Sequence, residues 1–138
     1  MSHNNSPSGA RRFGYFLAII INAAMIYAAN NLLKWNIPFL TQSFQECLWA
    51  INLSLSISMF INFTFLFFDR KWFRSFMQAL SNIFAAISVY MFRQIFPLDL
   101  TENLAGIVNF ALVILIGLLL LSVLIEFVNA IRNYQRER

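Results

Sequence analysis

The chain has little of what soluble enzymes are built from. It holds one cysteine, one histidine and six acidic residues, and charged residues make up 12% of its 138 positions. A single cysteine excludes an internal disulfide framework and a multi-cysteine metal site. His3 stands alone in a polar stretch, which excludes the usual histidine-based chemistry. There is no G-x-S-x-G, no H-E-x-x-H, no phosphate loop and no nucleophile–base pair at legible spacing. The expectation is a protein that is not an enzyme and that carries no cofactor and no metal. An enzyme would have to assemble its acids from separate loops, with Glu46, Asp99 and Glu102 as the candidates.

What is present is apolar. Hydrophobic residues are 59%, aromatics 17%, with sixteen Phe and a mean hydropathy of +0.65. Ordinary soluble domains carry roughly 45–50% apolar and about 25% charged residues. A folded sphere of this size could not hide so much apolar side chain, and a disordered chain would not carry it.

Four runs punctuate the sequence, at about 13–33, 47–68, 73–92 and 104–128. Crossing about 30 Å of hydrocarbon at 1.5 Å per residue takes about 20 residues, so each run is long enough to span. Uninterrupted length favours helices over barrel strands, which are about ten residues long and separated by turns. The stretch Leu53–Thr64 alternates like a strand but lies inside a full-length span without a turn signal. The first run is too long for a signal-peptide core and has a poor cleavage site, so it is expected to remain. The fold class is therefore an all-α integral membrane protein with four transmembrane helices arranged as two hairpins. Residues 1–12 are expected as a disordered cytoplasmic tail, 13–131 as the transmembrane domain and 132–138 as a basic cytoplasmic tail.

The connections carry boundary signals. Pro38 and Pro97 sit in the first and third loops. Ser43 and Glu46 match a capping box at the start of the second helix. Thr101, or Asp99 with Glu102, plays that part for the fourth. The middle loop, 69–72, is so short that the second and third helices must be antiparallel neighbours.

Cations are distributed unequally. Arg11, Arg12, Arg70, Lys71, Arg74, Arg132, Arg136 and Arg138 share one side, leaving only Lys34 and Arg93 on the other. Such a bias over short loops puts the basic side in the cytoplasm, and both termini with it, in a cell inner or plasma membrane. It also accounts for the pI of about 9.7, through attraction to anionic lipid rather than to nucleic acid. Tyr27, Trp35, Trp49 and Tyr90 fall toward the outer face, and Tyr15, Trp72 and Tyr134 toward the inner one, at the depth amphipathic rings favour.

A weak parallel internal repeat is a candidate. A shift of 60 residues aligns Phe13 with Phe73, Phe16 with Phe76, Asn22 with Asn82, Leu40 with Leu100 and Thr41 with Thr101. Phe- and Leu-rich runs approach that score by composition alone.

The candidate polar contacts within the bilayer are Asn22, Asn52, Asn62, Asn82, Asn109 and Glu126. An amide facing lipid is unfavourable, so these should face protein or a water-filled cavity. Gly14, Ala18 and Asn22 repeat at four, as do Ser54, Ser58 and Asn62, and Ser75, Ala79, Asn82 and Ala86 share one helix face. Interhelical amide bonds there contribute about 0.6–2 kcal/mol each. No mid-membrane acid of the sort found in proton-coupled transporters is expected: Glu126 is placed near the inner interface, paired with Arg74, Arg70 or Lys71. Cys47 reads as a small buried residue, with an intermolecular disulfide as the alternative. The resulting expectation is a small multi-pass protein acting through helix–helix contacts, as an accessory subunit or a homo-oligomer. Its partners are the lipid bilayer and a membrane protein or copies of itself, with no nucleic acid. The rival is an oligomeric channel or transporter for a small solute with an Asn/Ser-lined pathway.

Overall fold

The computed structural model describes residues 7–138. The order is α1 (Gly9–Asn31), a 3-10 turn over Leu32–Trp35, α2 (Phe44–Phe65), α3 (Lys71–Ile95) and α4 (Glu102–Glu137). All four helices are long and apolar enough to cross a membrane, so the all-helical, four-span class holds. The alternating stretch Leu53–Thr64 is helical throughout.

The helix ends differ from the sequence expectation in instructive ways. The tail expected over 1–6 lies outside the described residues. Beyond it, Ser8 takes an extended backbone and its Oγ accepts from the Arg11 N–H at 3.4 Å, so α1 opens at Gly9 and Arg11 and Arg12 ride on it. At the other terminus α4 runs on through Glu137, so the basic stretch 132–137 is helical. The capping box at Ser43 and Glu46 does not form. A cap side chain works from an extended backbone, whereas Ser43 is already helical at φ −63° and ψ −14°. Its hydroxyl bonds the Thr41 hydroxyl instead. Thr101 supplies the extended boundary of α4 but no side-chain cap.

The first and third loops each leave the preceding helix through a left-handed residue: Asn36 at φ 53° and Phe96 at φ 44°. Asn tolerates that conformation. For Phe it costs about 1–2 kcal/mol, and Pro97 immediately after prevents α3 from continuing. The loops then clasp each other. Leu40 and Leu98 form an antiparallel bridge, flanked by Thr41 N–H to the Pro97 carbonyl at 2.9 Å and Asp99 N–H to the Phe39 carbonyl at 2.7 Å.

The helices pack in chain order, α1 on α2, α2 on α3 and α3 on α4, the last pair most extensively. A two-fold repeat would place α4 against α1 as α2 lies against α3, and no such packing occurs among the described residues. The paired left-handed residues and the α1–α2 and α3–α4 hairpins fit the 60-residue shift, whereas α4 does not pack on α1 as α2 does on α3 among the described residues. Close approach is made by small residues. Ala29, Ala50, Ala79, Ala86 and Ala130 are buried, with Cys47, Ile61 and Phe65 in α2.

Ring contacts fix the relative heights. Tyr15 meets Phe65 at 5.2 Å, Phe65 meets Phe73 at 6.1 Å, Phe73 meets Trp72 at 5.8 Å and Trp72 meets Tyr134 at 5.5 Å. One aromatic level thus crosses all four helices. Measured from it at 1.5 Å per residue, α3 ends about 35 Å away at Ile95, while α4 reaches about 48 Å at Glu102. The first two turns of α4 therefore overhang α3, and the extended segment 96–101 makes the climb. On those turns Leu104, Ile107 and Phe110 are exposed.

Candidate functional site

Three polar groupings lie between the helices. The first is a charged clasp at the end that carries both described termini. Asp69, in the short 2–3 loop, has a side chain with no exposed surface. Arg74 Nη1 donates to its Oδ1 at 3.0 Å and Arg11 Nη1 to its Oδ2 at 3.4 Å. Arg74 Nη1 also lies 3.3 Å from the Tyr15 hydroxyl, to which it donates. One carboxylate thereby ties α1, the loop and the first turns of α3. A carboxylate withdrawn from water is tolerated only when paired and hydrogen-bonded, and here both oxygens are engaged.

The second grouping is an amide seam between α1 and α2. Asn22 Nδ2 donates to Ser58 Oγ at 3.1 Å and to its own helix at the Ala18 carbonyl at 2.8 Å. Two turns further along, Asn30 and Asn52 exchange amide bonds at 2.7 and 3.1 Å. Ser88 of α3 donates to the Ala50 carbonyl of α2 at 2.7 Å. Gly14, aligned with Asn22 in the sequence pattern, meets nothing within 4 Å of an added Cβ, so no close approach depends on it.

The third is the α3–α4 seam. Because α4 packs on α3, its less exposed positions mark the contact: Leu112, Ile116, Leu119, Val123, Glu126 and Ala130 recur every three or four residues. The α3 stripe that starts from Trp72 runs through Ser75, Ala79, Asn82 and Ala86. At the aromatic end the two helices leave an open groove of about 320 Å³ lined by Trp72, Phe76, Phe127, Ala130, Ile131 and Tyr134, among others.

Of the expected contacts, Asn22 and Asn52 join helices. Asn62 instead bonds the Ser58 carbonyl of its own turn at 2.8 Å. Asn82, Asn109 and Glu126 are half-buried and make no side-chain hydrogen bond or ion pair among the described residues. The expected Glu126–Arg74 pair is absent. Arg74 is already committed to Asp69, and Glu126 lies two helical turns, about 12 Å, inside the level of Tyr134. Cys47 is buried and its thiol donates to the Phe44 carbonyl at 3.1 Å, which leaves no surface for an intermolecular disulfide. Two participants escaped the sequence reading. Asn30 continues the four-residue spacing from Asn22, and Asp69 is an acid among eight cations at its end of the fold.

These features define a class: an all-helical membrane protein with four candidate spans, joined internally by amides, alanines and one buried carboxylate. Comparison with protein-family models, with curated proteins and with solved structures finds no match.

Proposed function

We propose that the protein is a non-enzymatic membrane subunit that works through lateral helix contacts, with another membrane protein or with copies of itself. The observation that carries this reading is α4. Among the described residues it packs extensively only on α3, and no residue in its most apolar eighteen-residue window is buried. The rival, a solute pathway lined by Asn and Ser, is weakened because Asn22, Asn30, Asn52, Ser58 and Ser88 already spend their polar groups on neighbouring helices. Extraction into native nanodiscs followed by native mass spectrometry tests the choice. A stoichiometric foreign partner or a defined homo-oligomer supports the subunit. Solute flux from liposomes containing the pure chain supports the pathway.

The same reading places the protein in an inner or plasma membrane with both termini in the cytoplasm. Eight of the ten cations lie at that end, by the residues named above. On a Cys47→Ala background, an impermeant thiol reagent outside the cell should label Gln42→Cys, at an exposed position, and should miss Arg136→Cys. The reverse pattern would invert the orientation.

A further inference from the structure

The groove of about 320 Å³ at the aromatic end of the α3–α4 seam changes character along its length. Its deep end lies between Phe76 and Phe127, and its mouth carries Arg138. On α4 the lining runs from Phe127 through Ile131 and Tyr134 to Arg138, one residue per turn of the helix. At 1.5 Å per residue that line is about 16 Å long. One leaflet's share of a hydrocarbon core about 30 Å thick is about 15 Å. Near the mouth Trp72 and Tyr134 meet at 5.5 Å, and such amphipathic rings favour the headgroup level. The groove therefore has the length and the orientation of one lipid chain, with a cation where the headgroup would be.

The charges around the mouth select an anion. The Arg138 guanidinium lies over the Tyr134 ring at 5.8 Å and has no carboxylate partner among the described residues. It stands four residues past Tyr134, about 6 Å along the axis, and so beyond the level at which α3 begins. There α3 opens with Lys71, and Arg70 before it supplies no side-chain cap. The first backbone N–H groups of a helix and the positive end of its dipole attract negative charge. The negative end of the α4 dipole lies at the same level, offset by Arg136 in the last turn. A second copy in the same orientation would bring no matching acid. At this depth it has Asp69, whose side chain has no exposed surface, and Glu137, which is flanked by Arg136 and Arg138.

We propose that this groove binds one anionic phospholipid from the leaflet at the basic end of the bundle. One acyl chain lies along Ile131 and Tyr134 and ends between Phe76 and Phe127. The phosphate sits at the mouth, between Arg138 and the start of α3. A zwitterionic lipid fits the apolar slot equally well but brings a second, positive charge to the same cations, so the headgroup sets the preference. The site stands independently of the subunit reading, because a single copy of the chain contains all of it.

The test uses the full chain in nanodiscs of mixed phosphatidylglycerol and phosphatidylcholine, released into mild detergent for native mass spectrometry. The wild type should retain one phosphatidylglycerol per chain. Arg138→Gln should weaken that retention about fivefold, the worth of one cation near an anionic surface. Arg136→Gln removes the same charge from the same turn but lies off the groove lining, and should change retention little. Ile131→Trp, at an exposed position on the lining, should fill the slot and abolish retention while the thermal unfolding midpoint holds. A phosphatidylglycerol with a diazirine near its chain end should crosslink beside Phe76 and Phe127. Equal losses in the two Gln variants would overturn the proposal in favour of diffuse attraction to the basic end. Equal retention of phosphatidylcholine would overturn the headgroup site. A two-copy mass that Ile131→Trp splits would show the groove to be a contact between copies.

Discussion

The two hairpins are held together by opposite means. α1 and α2 are joined by directional bonds, Asn22 to Ser58 and Asn30 to Asn52. α3 and α4 are joined by buried alanines and a seam of branched aliphatics, on which Asn82, Asn109 and Glu126 make no side-chain bond among the described residues. In lipid the hydrophobic effect does not drive helices together, so contact rests on close packing and on interhelical hydrogen bonds. Directional bonds fix a register, because each has one partner. A repeating aliphatic seam does not, because Leu112, Leu119, Ile116 and Val123 present similar surfaces one heptad apart. The height of α4 therefore depends on its two ends: Trp72 against Tyr134 at one, and the clasp between the first and third loops at the other.

The largest effect should come from the clasp that both hairpins share. Asp69→Ala removes the carboxylate and leaves Arg74, whose side chain is 28% exposed, beside Tyr15 without its counter-charge. Removing one member of a buried pair costs about 3 kcal/mol or more. Arg11→Ala should cost about 1 kcal/mol or less, since Arg11 is half exposed and its bond is long. Thermal unfolding in one detergent should rank Asp69→Ala far below Arg11→Ala. Equal losses would show that the carboxylate is solvated and that the loop does not tie the hairpins.

Next in size is the clasp between the first and third loops. The bonds from Thr41 and Asp99 bracket Leu40 and Leu98, so these two form a non-hydrogen-bonded antiparallel pair. Such pairs bring Cα atoms to about 4.5 Å, within disulfide range. On a Cys47→Ala background, Leu40→Cys with Leu98→Cys should oxidise to a monomeric disulfide that is stabilised by about 2 kcal/mol. A shift of the second cysteine to Asp99 should lower the yield. Equal yields at both positions would mean that the loops slide past each other, and that the height of α4 is unset at this end.

How legible all this was in the sequence follows from the period of each signal. Span number and helix type follow from runs of about 20 residues, a scale that tertiary contacts do not disturb. Caps depend on one residue's backbone angles, and Ser43 misled because a helical φ and ψ removed its capping geometry. The height of α4 was read from its apolar run, which centres the helix on the bilayer and carries Glu126 to the interface. Its height against α3 is set by the ring contact of Trp72 with Tyr134, and a contact between residues so far apart in the chain leaves no local pattern. Asp69 escaped the sequence reading because its role depends on Arg11, which lies 58 positions away.

A smaller effect separates the two seams directly. Asn30 and Asn52 are partners in one reciprocal bond, so their replacement by Leu should be non-additive. A double-mutant cycle should return a coupling of about 1 kcal/mol. The same cycle between Asn22 and Asn82, on different seams, should return a value within about 0.5 kcal/mol of zero. Comparable coupling in both would join the hairpins into one polar network and erase the distinction between them.

The smallest effect tests how directional the first seam is. Asn22 Nδ2 has two acceptors, the Ser58 hydroxyl at 3.1 Å and its own Ala18 carbonyl at 2.8 Å. Ser58→Ala deletes only the first. The amide keeps the shorter bond and is not left unsatisfied, and the lost hydroxyl is replaced by a methyl group that suits hydrocarbon. The cost should be the interhelical bond alone, about 0.6 kcal/mol. Asn22→Leu, which removes the donor and adds a branched side chain at a packed contact, should cost more. If Ser58→Ala instead matches Asn22→Leu, then the Ala18 bond contributes little and Ser58 alone sets the height of α1 against α2. A crosslink between Tyr15→Cys and Phe65→Cys, which share the aromatic level at 5.2 Å between rings, would then weaken in Ser58→Ala and hold steady otherwise.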